Sequence, residues 1–162
     1  MRRTDYEGMK KTSVSDELII GDAVSLVNEG MAVTLLVKGR SMLPFIFGGH
    51  DSVILKKPEN ISVGDVVLAR IDGRRYVLHR VMEVSPDRIV LMGDGNIRGQ
   101  EICRPEDVLA RTDEVVSEDG KHRRLDTPRQ RRRARIWRTL LPVRRWILAV
   151  YKRTVIRNMN IQ

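Results

Sequence analysis

Apolar residues recur along the middle of the chain in short runs, with the period of two that is typical of β-strands. These runs fall between residues 31 and 117. Turn-forming residues separate them, among them Gly48-Gly49, Asp72-Gly73, Pro86-Asp87 and Gly93-Asp94-Gly95. Asp-Gly between two apolar runs is a strong hairpin signal. Five or six short strands at this spacing predict a mainly β fold, a small antiparallel β-barrel or sandwich-like domain.

On each side of this β-rich region the apolar period changes to that of a helix. Near the N-terminus, Ser15 or Asp16 can cap a helix that Gly30 ends. The apolar stripe of this helix consists of Leu18, Ile19, Ala23, Leu26 and Val27. We therefore predict a disordered segment over residues 1–14, a β-domain with a leading helix over 15–126, and a basic amphipathic helix over 127–162.

The predicted C-terminal helix carries apolar and basic residues on opposite sides. The apolar side consists of Ile136, Leu140, Val143, Ile147, Val150 and Tyr151, and the basic side of Arg135, Arg138, Arg145, Lys152 and Arg153. Pro142 lacks the N–H that a continuous helix needs, so we expect a bend there. Basic amphipathic helices with Trp at the boundary are typical of proteins that lie on a membrane surface. The residues predicted to face the membrane are Trp137, Leu140, Trp146 and Ile147.

The charge of the chain supports a contact between this segment and an anionic partner. From residue 121 onward there are 14 Lys and Arg and one acid, whereas residues 1–120 carry 16 basic and 20 acidic groups. Basic segments of this kind bind phospholipid, nucleic acid or acidic proteins. The sequence has no uninterrupted apolar stretch of about 18 residues and no secretory signal pattern. We therefore expect a cytoplasmic protein on the inner face of the membrane, without a membrane-spanning helix.

The residues that form disulfides and metal sites are sparse. Cys103 is the only cysteine, so no disulfide can form within the chain. The histidines His50, His79 and His122 lack the paired spacing of a metal site. We predict neither a metal nor another cofactor.

Ser41 is the candidate for chemistry, because it lies in a turn that ends in a proline, between two apolar runs. A serine hydroxyl is a weak nucleophile until a base takes its proton. In "YVLHRV", strand alternation puts His79 on the same inward face as Val77 and Val81, where burial keeps the imidazole neutral. Asp94 follows an apolar run in a Gly-Asp-Gly turn, where its carboxylate can orient a histidine. A core histidine and a plain turn are the alternatives for these two residues.

Together, "VKGRSMLPFI", "GDVVLAR", "YVLHRV", "LMGDGN" and "EDVLAR" resemble the superfamily that joins type I signal peptidases to the self-cleaving SOS-type repressors. The signature of that superfamily is a Gly-x-Ser-Met-x-Pro turn on a β-rich fold, and the resemblance covers residues 33–116. Most bacterial members use a Ser/Lys dyad. Here the position that matches the lysine is His79, followed by Arg80, as in the branch of the endoplasmic-reticulum signal peptidase.

The resemblance implies that Ser41 is the nucleophile, His79 the general base and Asp94 the supporting carboxylate, with Glu101 as a possible second acid. The nucleophile turn and its oxyanion hole would consist of Gly39, Ser41, Met42 and Pro44. This sequence departs from the family in three ways. We expect neither the N-terminal membrane anchor of the signal peptidases nor the N-terminal DNA-binding domain of the repressors, and Gly39 replaces the hydroxyl residue that often completes the oxyanion hole.

The sequence therefore predicts a serine endopeptidase that cleaves a peptide or a precursor protein near the membrane. One alternative is a non-catalytic, membrane-associated binding module that descends from such a peptidase. A second is nucleic-acid binding through the arginine-rich segment. Nucleic acid is the less favoured partner, because the apolar residues between the arginines suit an interface better than a track for phosphates.

Overall fold

The computed structural model describes residues 13–156, and it begins with a helix that packs one side against the sheet. Helix α1 spans Ser13–Asn28. It begins before the predicted caps, so Ser15 and Asp16 lie within the helix, and the predicted disordered segment lies outside the described residues except for Ser13 and Val14. Gly30 follows the helix with φ +89°, the left-handed conformation that glycine accepts at a helix end.

Only part of the apolar stripe predicted for α1 is buried. Ala23 and Val27 pack into the core, whereas Leu18, Ile19 and Leu26 remain 65%, 55% and 40% exposed. These three residues belong to the predicted stripe but lie outside the core. The helix contacts the sheet along the narrower line that Ala23 and Val27 define.

Eight strands form one sheet in which all the pairs are antiparallel. They are β1 (Val33–Leu36), β2 (Ser52–Lys56), β3 (Val66–Ile71), β4 (Arg75–Val84), β5 (Ile89–Met92), β6 (Glu101–Cys103), β7 (Val108–Val116) and β8 (His122–Arg124). Seven follow the order β1-β2-β7-β3-β4-β5-β6, and β8 pairs with β7. A short 3₁₀ helix, Pro105–Asp107, precedes β7. The sheet curls into a half-barrel, which confirms the predicted mainly β class.

The hairpin predicted at Asp72-Gly73 joins β3 and β4. Both residues have positive φ, +51° and +68°, as a type I′ turn requires. The N–H of Arg74 closes the turn on the carbonyl of Ile71 at 3.1 Å. This hairpin fixes the register of β4, in which Val67 faces His79 and Val66 faces Arg80.

Both faces of the sheet are buried, and two apolar clusters separate its residues by face. Core 1 consists of Val27, Val37, Met42, Ile46, Val53, Leu55, Val66, Leu68, Ala110 and Val115. Core 2 consists of Val67, Ala69, Ile71, Val77, Val81, Ile89, Leu91, Cys103 and Val108. Consecutive residues of β3 alternate between the two cores, as the pleat of a strand requires. On β4, His79 therefore shares the face of core 2 with Val77 and Val81, and Arg80 points to the opposite face.

The C-terminal segment forms two helices where the sequence predicted one bent helix. Helix α2 spans Pro128–Thr139, helix α3 spans Arg144–Tyr151, and a π-helical turn, Lys152–Ile156, follows. The Thr127 side chain caps α2 by accepting a hydrogen bond from the N–H of Gln130, at 3.4 Å. The break between α2 and α3 contains Pro142, where the sequence predicted the bend. Residues 157–162 lie outside the described part of the chain.

The buried side of these two helices is not the apolar side that the sequence predicted. Ala134 and Trp137 on α2 and Arg144 and Leu148 on α3 are buried, with spacings of three and four residues that are each typical of one face of a helix. Trp137 was predicted to face a membrane, and this was wrong, since only 6% of it is exposed. Trp146 and Ile147 do face outward, and Leu140 is partly buried. None of the helices within residues 13–156 combines the length and apolar character needed to cross a bilayer.

Candidate active site

Ser41 lies in a turn between β1 and β2 that the core holds in place. Met42 and Ile46 are buried in core 1, and the N–H of Ile46 donates to the carbonyl of Met42 at 3.0 Å. Gly39 adopts φ +81°, and its carbonyl lies where a Cβ on Gly48 would be. The turn closes on itself at these two glycines, and Ser41 remains partly exposed beside the buried Met42.

The Gly93-Asp94-Gly95 turn packs directly against the backbone of Ser41. The N–H of Gly95 donates to the carbonyl of Ser41 at 2.7 Å. A Cβ on Gly93 would lie 2.5 Å from that carbonyl oxygen and 3.1 Å from the Cβ of Ser41. A Cβ on Gly95 would lie 2.7 Å from the carbonyl of Arg40. Both glycines are therefore needed for the close approach of the two turns, a role that the sequence did not suggest.

His79 and Ser41 lie on the same face of the sheet. Arg80 pairs with Met92 and Val81 with Leu91, so continuing this register by one residue puts His79 opposite Gly93. Ser41 takes the place that a side chain on Gly93 would have. Cβ positions directly across an antiparallel pair are about 5 Å apart. From this register we expect the Ser41 and His79 side chains to approach each other on the face of core 2. The structure forms no Ser41–His79 hydrogen bond, so their catalytic pairing stays a prediction.

Glu101 is the carboxylate beside the His79 ring. It lies on β6 opposite Leu91, and its Oε2 is 2.8 Å from Nδ1 of His79. Neither atom has an aligned hydrogen-bond partner in residues 13–156, so the contact is an electrostatic pair. The other carboxylate oxygen accepts a hydrogen bond from Arg75. Glu101 thus contacts both Arg75 and His79 on this face.

The His79 ring is suited to act as a neutral base. Only 5% of the residue is exposed, and burial lowers its pKa below the ordinary value of 6.5. The Glu101 carboxylate raises the pKa and offsets part of the effect of burial, while the positive charge of Arg75 lowers it. A histidine with a lowered pKa is unprotonated at neutral pH, and the nearby carboxylate stabilises the imidazolium when the ring accepts a proton.

Asp94, predicted as the supporting carboxylate of His79, binds Arg80 instead. Its two carboxylate oxygens accept hydrogen bonds from Nε and Nη2 of Arg80 at 2.8 and 2.6 Å. Arg80 also donates to the carbonyl of Gly64 at 2.7 Å. Because Arg80 points away from the face of His79, this bidentate pair draws the Asp94 side chain to the opposite side of the sheet. No direct contact joins Asp94 to the ring in the described chain, although the charge of Asp94 raises the pKa of His79, and Glu101 is the carboxylate in contact with the ring.

The C-terminal helices contact both turns of the candidate site, which the sequence did not predict. The indole N–H of Trp137 donates to the carbonyl of Asp94 at 3.0 Å, and the Trp137 ring packs edge-on against Phe45, with centroids 5.4 Å apart. Arg144 is 1% exposed and donates to the carbonyls of Asn96 and Trp137, at 3.3 and 3.0 Å. These contacts make α2 and α3 part of the support of the site.

The remaining predicted residues shape the turn and the oxyanion site. Met42 anchors the turn in core 1, and Pro44 follows Leu43 through a cis peptide bond. The N–H of Ser41 donates to no group within residues 13–156, and its part in an oxyanion hole stays a prediction. Among the described residues, no cluster of His, Cys, Asp and Glu has the arrangement that holds a metal ion.

Comparison with known proteins gives a match at the level of a family. The sequence model of the family described as Peptidase S24-like matches residues 5–109, which include the Ser41 turn, β4 with His79 and the Gly93-Asp94-Gly95 turn. No curated protein matches the chain. The family is part of the superfamily of SOS-type repressors and type I signal peptidases, which confirms the resemblance found in the sequence. The match covers well over half of the chain, and the protein therefore belongs to the Peptidase S24-like family.

Proposed function

We propose that this protein is a serine endopeptidase with Ser41 as nucleophile, His79 as general base and Glu101 as the acid that orients His79. The observation that carries the proposal is the buried His79 ring, which has a carboxylate 2.8 Å from its Nδ1. The membership of this chain in the Peptidase S24-like family also supports peptide-bond hydrolysis. The Ser/His pairing replaces the Ser/Lys pairing of most bacterial relatives.

In the proposed mechanism, the Nε2 of His79 removes the proton of the Ser41 hydroxyl as the oxygen attacks the carbonyl carbon of the scissile bond. The N–H of Ser41 stabilises the resulting oxyanion. The imidazolium then donates its proton to the leaving amine, and Glu101 stabilises its positive charge in the meantime. Water, deprotonated by His79, hydrolyses the acyl-enzyme and regenerates both side chains.

The test is cleavage of a complex peptide mixture by the purified full chain, with the new termini identified by mass spectrometry. We expect the wild-type protein to cut a defined set of bonds, and Ser41→Ala and His79→Ala to cut none of them. Ser25→Ala is the matched control, because Ser25 is exposed on α1 and should leave cleavage unchanged. Circular dichroism shows whether each variant is folded. Absence of cleavage by folded wild-type protein would favour the non-catalytic binding module, and cleavage by Ser41→Ala would refute the assigned nucleophile.

We also propose that the protein acts at the inner, anionic face of a membrane, with a peptide or precursor protein as its substrate. The support is the outward side of α3, where Trp146 and Val150 are each 64% exposed and Ile147 is 37% exposed. Arg145, Lys152 and Arg153 are exposed on the same segment. Each basic residue near an anionic leaflet contributes about 1 kcal/mol, and the indole suits the headgroup boundary.

Co-sedimentation with vesicles tests this location. We expect Trp146→Ser with Val150→Ser to reduce binding to anionic vesicles by at least about tenfold, because the pair removes the apolar part of the contact. Leu18→Ser with Ile19→Ser is the matched control, since these residues of α1 are similarly exposed, at 65% and 55%. Equal loss of binding in both double variants, or wild-type binding that ignores salt and anionic lipid, would contradict the assigned surface.

A further inference from the structure

A cavity of about 270 Å³ lies between α2 and the sheet, on the side opposite His79. Seven arginines and three aspartates line it, together with Phe45 at one end. The arginines come from β4, β7, β8 and α2, so four separate elements direct guanidinium groups toward one space. Arginines that served only to keep the surface of α2 soluble would not need to point toward one shared cavity.

The three carboxylates of the cavity wall pair with Arg131 and Arg111 of the same wall and with Lys56 and Arg124 outside it. Asp65 lies 3.7 Å from Arg131 and accepts a hydrogen bond from the N–H of Ser62 at 2.9 Å. Asp113 binds Lys56 at 2.6 Å and lies 3.9 Å from Arg111. Asp126 is held by Arg124, at 2.6 Å. The positive charge that remains in the cavity is therefore not neutralised by these acids.

Four of the lining arginines have no carboxylate partner among residues 13–156, namely Arg123, Arg133, Arg135 and Arg138. Arg123 donates to the carbonyl of Phe45 at 2.6 Å, and Arg133 lies over the Phe45 ring, 5.3 Å from its centroid. The buried Nε of Arg138 has no hydrogen-bond partner in the described structure. Burial and the nearby positive charges of Arg133 and Arg80 lower the pKa of Arg123. Such a site favours an anion that can accept several guanidinium hydrogen bonds at once.

We propose that this cavity binds a phosphomonoester dianion through Arg123, Arg133 and Arg138. A phosphate group presents oxygens that match the planar fork of each guanidinium, and its two negative charges balance the unpaired arginines. The volume suits a small ligand or a headgroup rather than a drug-sized molecule. Either a soluble phosphate compound or the headgroup of a lipid such as phosphatidic acid supplies this chemistry. The proposal does not depend on peptidase activity, since none of these arginines lies on the face of Ser41 and His79.

The test measures the binding of inorganic phosphate to the full chain by calorimetry and by the shift in melting temperature, at constant ionic strength set with chloride. We expect saturable binding, and a loss of affinity of at least about tenfold in Arg133→Gln and in Arg123→Gln. Arg132→Gln is the matched control, because Arg132 is exposed on the same helix and does not line the cavity. It removes the same charge and should keep wild-type affinity.

A second arm separates the two sources of the phosphate group. Vesicles with phosphatidic acid are compared with vesicles of equal surface charge made with phosphatidylserine, whose phosphate is a diester. Binding that prefers phosphatidic acid, is reduced by free phosphate and is lost in Arg133→Gln identifies a lipid headgroup. Saturable binding of free phosphate without that preference identifies a soluble ligand. Equal affinities of Arg133→Gln and Arg132→Gln for phosphate, or no saturable binding by the wild type, would overturn the proposal.

Discussion

Replacement of Asp94 by Asn should destabilise the protein far more than replacement of Glu101 by Gln. The side chains of Asp94 and Arg80 are only 1% and 7% exposed, and two hydrogen bonds join them. Removing one member of such a pair leaves a buried charge unpaired, which costs about 3–5 kcal/mol. In a protein of this size each kcal/mol lowers the melting temperature by about 2–4 °C, so Asp94→Asn should melt about 6–20 °C lower.

Glu101→Gln provides the comparison, because the same chemical change is made in a more exposed pair. The side chains of Glu101 and its partner Arg75 are 16% and 59% exposed. Arg75 stays hydrated when the charge of Glu101 is removed, so we expect a loss of less than about 1 kcal/mol. Urea titration gives the free energy of unfolding of both variants, and calorimetry gives their melting temperatures.

A compensating variant shows whether the unpaired charge is the cause. Adding Arg80→Met to Asp94→Asn removes both charges and should restore much of the lost stability, because an apolar side chain then fills the site. The structural role assigned to Asp94 would be refuted if Asp94→Asn and Glu101→Gln had the same melting temperature. It would also be refuted if Arg80→Met restored nothing to a destabilised Asp94→Asn.

Two further predictions concern His79 and the turn beside Ser41. Since burial lowers the pKa of His79 below 6.5, kcat/KM should rise with pH through a midpoint below 6.5. Because the Glu101 carboxylate raises that pKa, Glu101→Gln should move the midpoint to lower pH, and pH–rate profiles measure both. Between the lowered pKa of native His79 and the ordinary value of 6.5, the unfolded state holds more protons on His79 than the native state does. The free energy of unfolding should therefore fall as the pH drops below 6.5, and an unchanged midpoint in Glu101→Gln would contradict its assigned contact. Gly93→Ala should lower the free energy of unfolding by about 1–3 kcal/mol and abolish cleavage, because its Cβ would lie 2.5 Å from the carbonyl oxygen of Ser41. Gly21→Ala is the control: its Cβ would have nothing within 4 Å, so this variant should melt no lower than wild type.

Features that depend on local sequence were predictable, and the choice between two acids was not. The alternation of β4 predicts that His79 shares a face with Val77 and Val81, and the structure agrees. The partner of His79 depends on which strand lies next to β5, because the pairing of Leu91 with Glu101 brings that acid to the ring. Register between strands distant in sequence is not encoded in the spacing of one motif.

Asp94 was assigned to His79, although the neighbouring Arg80 also needs a carboxylate partner. The residue after His79 on a buried strand must itself be buried on the opposite face, and a buried guanidinium needs a carboxylate. That requirement was visible in "YVLHRV" and points to an acid on the opposite face.

Trp137 illustrates a different limit. Its helical face was assigned from apolar periodicity, whereas the buried face of α2 and α3 includes Arg144, which donates its hydrogen bonds to backbone carbonyls.

The pair His79-Arg80 links the two faces of the sheet at the candidate site. On one face, Arg75 and Glu101 set the charge around the His79 ring. On the other, Arg80 holds Asp94, whose carbonyl accepts the indole N–H of Trp137 at 3.0 Å. The next residue, Gly95, donates its N–H to the carbonyl of Ser41 at 2.7 Å.

Two hydrogen bonds and one peptide link therefore connect α2 to Ser41: Trp137 binds Asp94, Asp94 is followed by Gly95, and Gly95 binds Ser41. A shift of α2 relative to the sheet would act on the Gly93-Asp94-Gly95 turn, which donates the hydrogen bond to the Ser41 carbonyl. Small displacements matter at such a site, because nucleophilic attack requires the base within hydrogen-bond reach of the hydroxyl. Since the arginine-lined cavity lies between α2 and the same sheet, a ligand bound there would act directly on the element that supports Ser41.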